Sequence, residues 1–200
     1  MPAVRIEPLP SAALADAAEL LARAFVTNPL HEAAFGPAAL TRNVAFFRTG
    51  LSVMKGPKLV AVEDGRLLGL VHWVRWPACR ISGLDKLRQA PAMIRGFGPR
   101  SALRVGRWLS SWSAHDPPAE HCHLGPVGVD PGEQGRGIGR LLMEKYCEEL
   151  DRSGEPGYLE TDRAENVAFY RRFGFEVTTE LEVLGVRNYL MSRRARSPGP

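Results

Sequence analysis

Apolar and polar positions change period several times along the chain. Val4 to Glu7 alternates apolar and charged residues, as a short strand does. Ser11 stands where a helix N-cap belongs, ahead of the Ala- and Leu-rich run Ala12 to Val26. That run predicts a helix, which Asn28-Pro29 ends. A second helix is expected from about Pro37 to Met54, closed by Lys55-Gly56-Pro57. Two apolar runs follow, Lys58 to Val62 and Arg66 to Trp76. Asp64-Gly65 between them predicts a β-hairpin, and Pro77 closes it.

Residues 78–118 read differently. The segment is rich in Arg, Gly and Pro, with helices expected near Gly83 to Ile94 and Ser101 to Trp112. Periodicity gives it no role, and a lid, a substrate wall and a dimer surface all stay open. Beyond it the pattern sharpens. His121 to Val129 predicts a strand and Gly132 to Gly139 a Gly-rich turn. Ile138, Leu141, Leu142, Tyr146 and Leu150 then form one helix face. Tyr158 to Thr161 is a short strand. Asp162 and Glu165 have capping-box spacing at the start of a helix reaching Phe173, with Gly174 as its stop. Phe175 to Val183 and Val186 to Ser192 close the chain as paired strands. The order predicts an α/β fold with a mixed sheet, in one domain over residues 1–192, and a disordered tail over 193–200.

Composition narrows the class only a little. A chain of 200 residues that is 44% hydrophobic buries a core without disulfides or metals. Three dispersed cysteines do not form a secreted disulfide framework, so the cytoplasm is the expected compartment. No stretch is long and apolar enough to span a bilayer, so no membrane partner is expected. The net charge of +4 is not gathered into a block. Arg193, Arg194 and Arg196 are too few, and no nucleic-acid fold signature accompanies them, so no nucleic-acid partner is expected.

The candidate chemistry lies in Gln134-Gly135-Arg136-Gly137-Ile138-Gly139, between a strand and an amphipathic helix. Glycines let a ligand approach the backbone, and a helix start offers N–H groups and partial positive charge. Together they suit a pyrophosphate, with Arg136 and Arg140 at the rim. Spacing removes two competitors. A P-loop starting at Gly132 would need Lys-Ser/Thr where Ile138-Gly139 stand. A dinucleotide turn would need a glycine at Arg140 or Leu142.

This turn, preceded by Val127-Gly128-Val129-Asp130-Pro131, resembles the acetyl-CoA signature of the GNAT superfamily of N-acetyltransferases. A second segment, Asn166-Val167-Ala168-Phe169-Tyr170 through Gly174-Phe175, resembles the superfamily's following helix. The similarity covers roughly residues 120 to 192. Phe25 to Leu30 looks like a bacterial branch acting on small molecules, antibiotics included. The resemblance implies a GNAT-like mixed central sheet flanked by helices, with a helical insertion before the cofactor-binding strand. It implies acetyl-CoA as cofactor, N-acetyl transfer as activity and, by analogy alone, a homodimer. It further implies a bulge at Gly128 that parts two strands, and cofactor contacts from Val127 to Val129, Gln134 to Arg140, Asn166 and Phe169. Tyr170 matches the tyrosine that protonates the leaving thiolate.

Transfer to an amine also needs a base, because alkylamines are largely protonated at neutral pH. Glu160 ends the strand beside the turn and is favoured, followed by His123. His121 and His123 share one strand face, and His72 lies on the hairpin. His121-Cys122-His123 invites a metal, but no third and fourth ligands stand at structural-zinc spacing, so none is expected. The acceptor is expected to be a small-molecule amine. A lysine side chain, a protein N-terminus and a non-catalytic acetyl-CoA-binding module stay open. Trp73, Trp76, Trp108 and Trp112 are candidates for a pocket wall.

Overall fold

The computed structural model describes residues 4–80 and 83–195, the side chains of 83–86 excepted. β1 (Arg5–Pro8) leads through a 3₁₀ turn, Ser11–Ala13, into α1 (Leu14–Phe25). Ser11 therefore lies inside that turn and not at a helix cap. Ala13 holds the α1 N-cap position, with no side-chain bond. The chain then forms α2 (Pro29–Phe35) and α3 (Leu40–Val53). The sequence reading missed α2: Asn28-Pro29 ends α1 and also begins the next helix, with Pro29 at the position that tolerates proline. The hairpin is β2 (Lys58–Glu63) and β3 (Arg66–Arg75), turning at Asp64-Gly65. The insertion holds α4 (Gly83–Phe97) and α5 (Pro99–His115). β4 (Cys122–Val129), α6 (Ile138–Ser153), β5 (Gly157–Thr161), α7 (Ala164–Arg171), β6 (Glu176–Val183) and β7 (Val186–Arg193) complete the chain.

The strands form one mixed sheet in the order β1-β2-β3-β4-β5-β7-β6. Only β4 and β5 run parallel; the other neighbours are antiparallel. α6 and α7 bury Leu142, Met143, Tyr146 and Tyr170 against one face. α1 and α3 bury Leu20, Leu21, Phe47 and Leu51 against β2 and β3 on the other. The insertion packs on the edge of that second layer, where Phe97, Val105 and Trp108 meet Leu30 and Phe35 of α2. Trp112 Nε1 donates to Asn188 Oδ1 at 3.1 Å and ties α5 to β7. The four tryptophans divide: Trp73 sits in the main core against Tyr146, while Trp108 stacks on Phe46.

Two further expectations change. The helix after β5 is not capped by Asp162. Its N-cap is Arg163, without a side-chain bond, and Asp162 Oδ2 accepts instead from the Leu30 N–H of α2 at 2.7 Å. The expected tail also loses its first residue. Arg193 closes β7, is 4% exposed, and donates to Phe173 O at 2.9 Å and Asp151 Oδ1 at 2.7 Å. Residues 196–200 of that tail lie outside the described ones.

His31 shows the cost of the aromatic layer. It is 4% exposed, stacks on Phe47, and bonds Asn43 Oδ1 through Nδ1 at 2.5 Å. Burial lowers its pKa to about 4, against the opposing pull of the Asn43 bond. The unfolded chain, with a histidine near about 6.5, then binds more protons between those values. Stability contributed by neutral His31 is therefore complete above about pH 6.5 and lost progressively as pH falls toward 4. Urea unfolding from pH 7 to 4 should show wild type losing on the order of 3 kcal/mol more than His31→Gln. Equal slopes would remove His31 as the cause.

Candidate active site

The site is built on an interrupted strand pairing. β4 meets β5 at two positions only, Cys122 with Gly157 and His123 with Tyr158. Beyond His123 no pairing joins them, while β4 stays paired to β3 as far as Val129. Strand N–H groups point alternately to the two sides. Alternate N–H groups of residues 124–129 therefore face the gap. The register between β3 and β4 shifts beside His72, where Gly125-Pro126 is the extra length on β4. The bulge is thus at Gly125-Pro126 and not at Gly128. Gly128 serves another purpose: a Cβ there would stand 2.8 Å from Leu21 Cδ2 and 3.0 Å from Phe25 Cε2, so its absence lets α1 lie close on the strand. His72 steadies the bulge, with Nδ1 2.6 Å from Gly125 O and Nε2 2.7 Å from Lys55 O.

A cavity of about 1650 Å³ opens from this gap. The Gly-rich turn and the start of α6 form one end. Gly135 and Gly137 have φ of +81° and +80°, and a Cβ on either would meet nothing within 4 Å. Their backbone is exposed to an incoming group. The first N–H groups of α6 lack intrahelical acceptors by construction. Asp130 closes the preceding turn by accepting from Gly132 N at 3.1 Å and pairs with Arg23 at 2.6 Å. Of the expected cofactor residues, all but Arg136 line the cavity. Arg136 is turned to Glu63 at 2.8 Å and to Glu133, because two carboxylates stand within its reach.

Tyr170, Glu160 and His123 also line this cavity. Tyr170 is 7% exposed. Burial, and then the charge of Asp162, push its hydroxyl above the usual phenol range. Glu160 Oε2 lies 2.8 Å from His123 Nε2, and Glu160 Oε1 is buried with no hydrogen-bond partner among the described residues. Asn166 Nδ2 donates to Thr161 Oγ1 at 3.2 Å, linking α7 to the end of β5. Two contributions escaped the sequence reading. Arg163 reaches Asn28 Oδ1 at 3.1 Å and Thr27 O at 2.7 Å, so the corner between β5 and α7 is fixed to the segment after α1. The insertion supplies Trp108 and Trp112 to the cavity wall beside His31 and Phe46.

Residues 27–175 match the Acetyltransferase (GNAT) family. The chain belongs to that family. A mycothiol acetyltransferase from Mycobacterium sp. (strain JLS) is 42% identical over 26% of this chain and 20% of its own length. The chain thus spans only a fifth of that relative. A Corynebacterium glutamicum structure described as histone acetyltransferase HPA2 and related acetyltransferase has a TM-score of 0.74 at 19% identity, covering 99% of both chains. Arylalkylamine N-acetyltransferase 2 from Aedes aegypti has a TM-score of 0.69 at 18% identity, over 96% of this chain and 98% of its own. A Brucella melitensis GNAT acetyltransferase in complex with acetyl-CoA has 0.55 at 18%, over 100% and 93%. At these identities the likeness shows the fold.

The turn's backbone gives a direct test of its glycines. Gly137 is left-handed, where any other residue pays roughly 1–2 kcal/mol. Gly137→Ala should cost about that much in urea unfolding. Gly132→Ala, at a position without positive φ and with its nearest atom at 3.6 Å, should stay within about 0.5 kcal/mol. Equal costs would contradict the assigned conformation.

Proposed function

We propose that the protein moves an acetyl group from acetyl-CoA to the primary amine of a small molecule, which attacks the thioester directly. The observation that carries this reading is the parting of β4 from β5 beneath the Gly-rich turn, with Tyr170 and Glu160 on the walls of the same cavity. Acetyl-CoA, when bound, supplies the activated acetyl group and a thiolate as leaving group. The chain's own features fit it. Open glycine backbone and the α6 N-terminus suit its pyrophosphate. The gap between the strands suits an extended arm that takes up the free edge of β4, as an added strand would. N–H groups in the stretch from Val127 to Val129 are placed to hold the carbonyl oxygen as it gains charge. Asn166 and Phe169 border the same space from α7.

Glu160 takes the proton that the amine must lose. Its Oε2 is held by His123, and its Oε1 is not engaged by any described residue. Tyr170 stabilises the departing sulfur. Its raised pKa keeps the hydroxyl protonated at neutral pH, and a thiolate, whose conjugate acid has a pKa near about 8.5, is a weaker base than a phenolate, whose conjugate acid is near about 10. Tyr170 therefore acts by hydrogen bonding as the charge forms, with transfer completed through solvent. The walls support the reading of the acceptor. His31, Phe46, Trp108 and Trp112 line the same cavity, which suits a compact amine with an apolar body. No helix among the described residues is long and apolar enough to cross a membrane.

Thiol release from acetyl-CoA, measured against a panel of small amines, checks these roles. Tyr170→Phe should lower kcat by about 10²-fold without changing the Kd for acetyl-CoA, and Glu160→Gln should lower kcat/KM by a similar factor. Unchanged kcat in Tyr170→Phe would remove it as the acid. Tight acetyl-CoA binding with no transfer to any amine, peptides included, would make the domain a binding module.

A further inference from the structure

Behind Glu160, on the far side of His123, four side chains from three separate parts of the chain converge. Cys79 follows β3 at the start of the insertion, Asp116 follows α5 at its end, and His121 and His123 lie on and just before β4. One ligand-type atom from each lies within 4.8 Å of the others. Cys79 Sγ is 3.5 Å from Asp116 Oδ2 and 3.7 Å from His121 Nε2. Asp116 Oδ1 is 3.4 Å from His121 Nε2 and 3.3 Å from His123 Nδ1. Around a tetrahedral zinc, with bonds of about 2.0–2.1 Å to N or O and about 2.3 Å to S, ligand atoms stand roughly 3.3–3.6 Å apart. Of the four distances, the three that join the proposed ligand atoms, 3.3, 3.4 and 3.7 Å, fall at or just beyond that spacing, while the 3.5 Å contact runs to the other Asp116 oxygen, Oδ2.

The outer hydrogen bonds choose which atoms are bare. His121 Nδ1 faces Ala119 O at 2.8 Å, and a carbonyl accepts only, so Nδ1 carries the proton. His123 Nε2 faces the Glu160 carboxylate at 2.8 Å, so Nε2 carries it there. In the neutral rings, His121 Nε2 and His123 Nδ1 are then lone pairs, and both face Asp116 Oδ1. Lone pairs turned on a carboxylate oxygen repel unless a cation sits among them. The Asp116 side chain is 4% exposed, and its Oδ1 has no hydrogen-bond donor among the described residues. Protons on both imidazoles relieve that repulsion, and a divalent ion bound by the four groups takes the place of those protons. With a thiolate, a carboxylate and two neutral imidazoles, the assembly has zero net charge. Histidine ligands whose second nitrogen donates to a carbonyl or carboxylate are the usual support of such sites.

We propose that Cys79 Sγ, Asp116 Oδ1, His121 Nε2 and His123 Nδ1 form a four-coordinate zinc site. Four protein ligands close the coordination sphere, as in structural rather than catalytic sites. The ion fastens both ends of the insertion to β4, and through His123 it sets the position of Glu160. His123 is then a ligand and positioning residue, not the base. Binding forms a zinc–sulfur bond and releases the Cys79 thiol proton to solvent. The site does not depend on which amine is acetylated. The sequence reading set a metal aside because no third and fourth ligands stand at structural-zinc spacing; Cys79 and Asp116 are 37 residues apart and meet only when the insertion folds back. Cys122, between the two histidines, is 0% exposed and belongs to the core on the opposite face.

Zinc binding to the chelator-stripped full chain tests this, by titration against a chromophoric chelator, with cobalt(II) as an optical probe. Wild type should bind one equivalent of zinc and, with cobalt, show tetrahedral visible bands and a sulfur-to-cobalt charge-transfer band. Cys79→Ser should lose the charge-transfer band, and Asp116→Asn should keep it; both should lose at least about tenfold in zinc affinity. Cys147→Ser should match wild type. Circular dichroism selects the folded variants. Failure of folded wild type to take up one equivalent of zinc would overturn the proposal, as would wild-type affinity in both ligand variants. Thiol release by folded wild type that takes up no zinc would leave acetyl transfer standing while this site failed.

Discussion

Everything in the site depends on one strand being satisfied on one side and unsatisfied on the other. β4 keeps its ladder with β3 from Cys122 to Val129 but holds β5 at only two positions. Backbone groups facing a gap seek partners, so the stretch from Leu124 to Val129 is an edge placed inside the fold. The bulge at Gly125-Pro126 lies where the two strands part. Proline has no N–H to lose there, and His72 engages the Gly125 carbonyl. The turn that follows Val129 then delivers the α6 N-terminus to the end of the same gap. In the proposed reaction, the pyrophosphate and acetyl sites would be two ends of one interrupted sheet.

The rest of the fold holds that gap open and closes its surroundings. α1 lies against Gly128, where no Cβ stands in the way. The corner after β5 is fixed by Asp162 to α2 and by Arg163 to the segment before it. The insertion brings Trp108 and Trp112 to the wall and is anchored through Trp112 to Asn188. In the proposed zinc site its two ends are also bound to β4, next to Glu160, the carboxylate proposed as the base. Substrate wall and base would then be positioned by one ion. This gives the insertion a physical reason to hold one geometry.

Local patterns carried most of the fold. The apolar face of α6, the Asp-Gly hairpin and the glycines at 135 and 137 each depend on neighbours in sequence, and each stands in the structure where the pattern put it, except that Leu141 of the expected α6 face is 38% exposed and Met143 is buried instead. Errors came where a local signal was claimed by a distant partner. Asp162 had the spacing to cap its own helix, but the free N–H of Leu30 on α2 took it. Arg136 had the position to face a phosphate, but Glu63, from the hairpin, holds it. The bulge was expected at Gly128 because that residue stands in the motif. Register with β3 moved it to Gly125-Pro126, which no local period reveals. The Cys79, Asp116, His121 and His123 cluster was illegible for the same reason, since its members meet only through tertiary folding.

The central claim is that the gap beneath the glycine turn receives acetyl-CoA. The direct measurement is the melting temperature with acetyl-CoA at about 100 times its Kd, with ATP and NAD at equal concentration as controls. Stabilisation of roughly 2.7 kcal/mol specific to acetyl-CoA is the expected result. No shift at any attainable acetyl-CoA concentration, or an equal shift with ATP, would contradict the account.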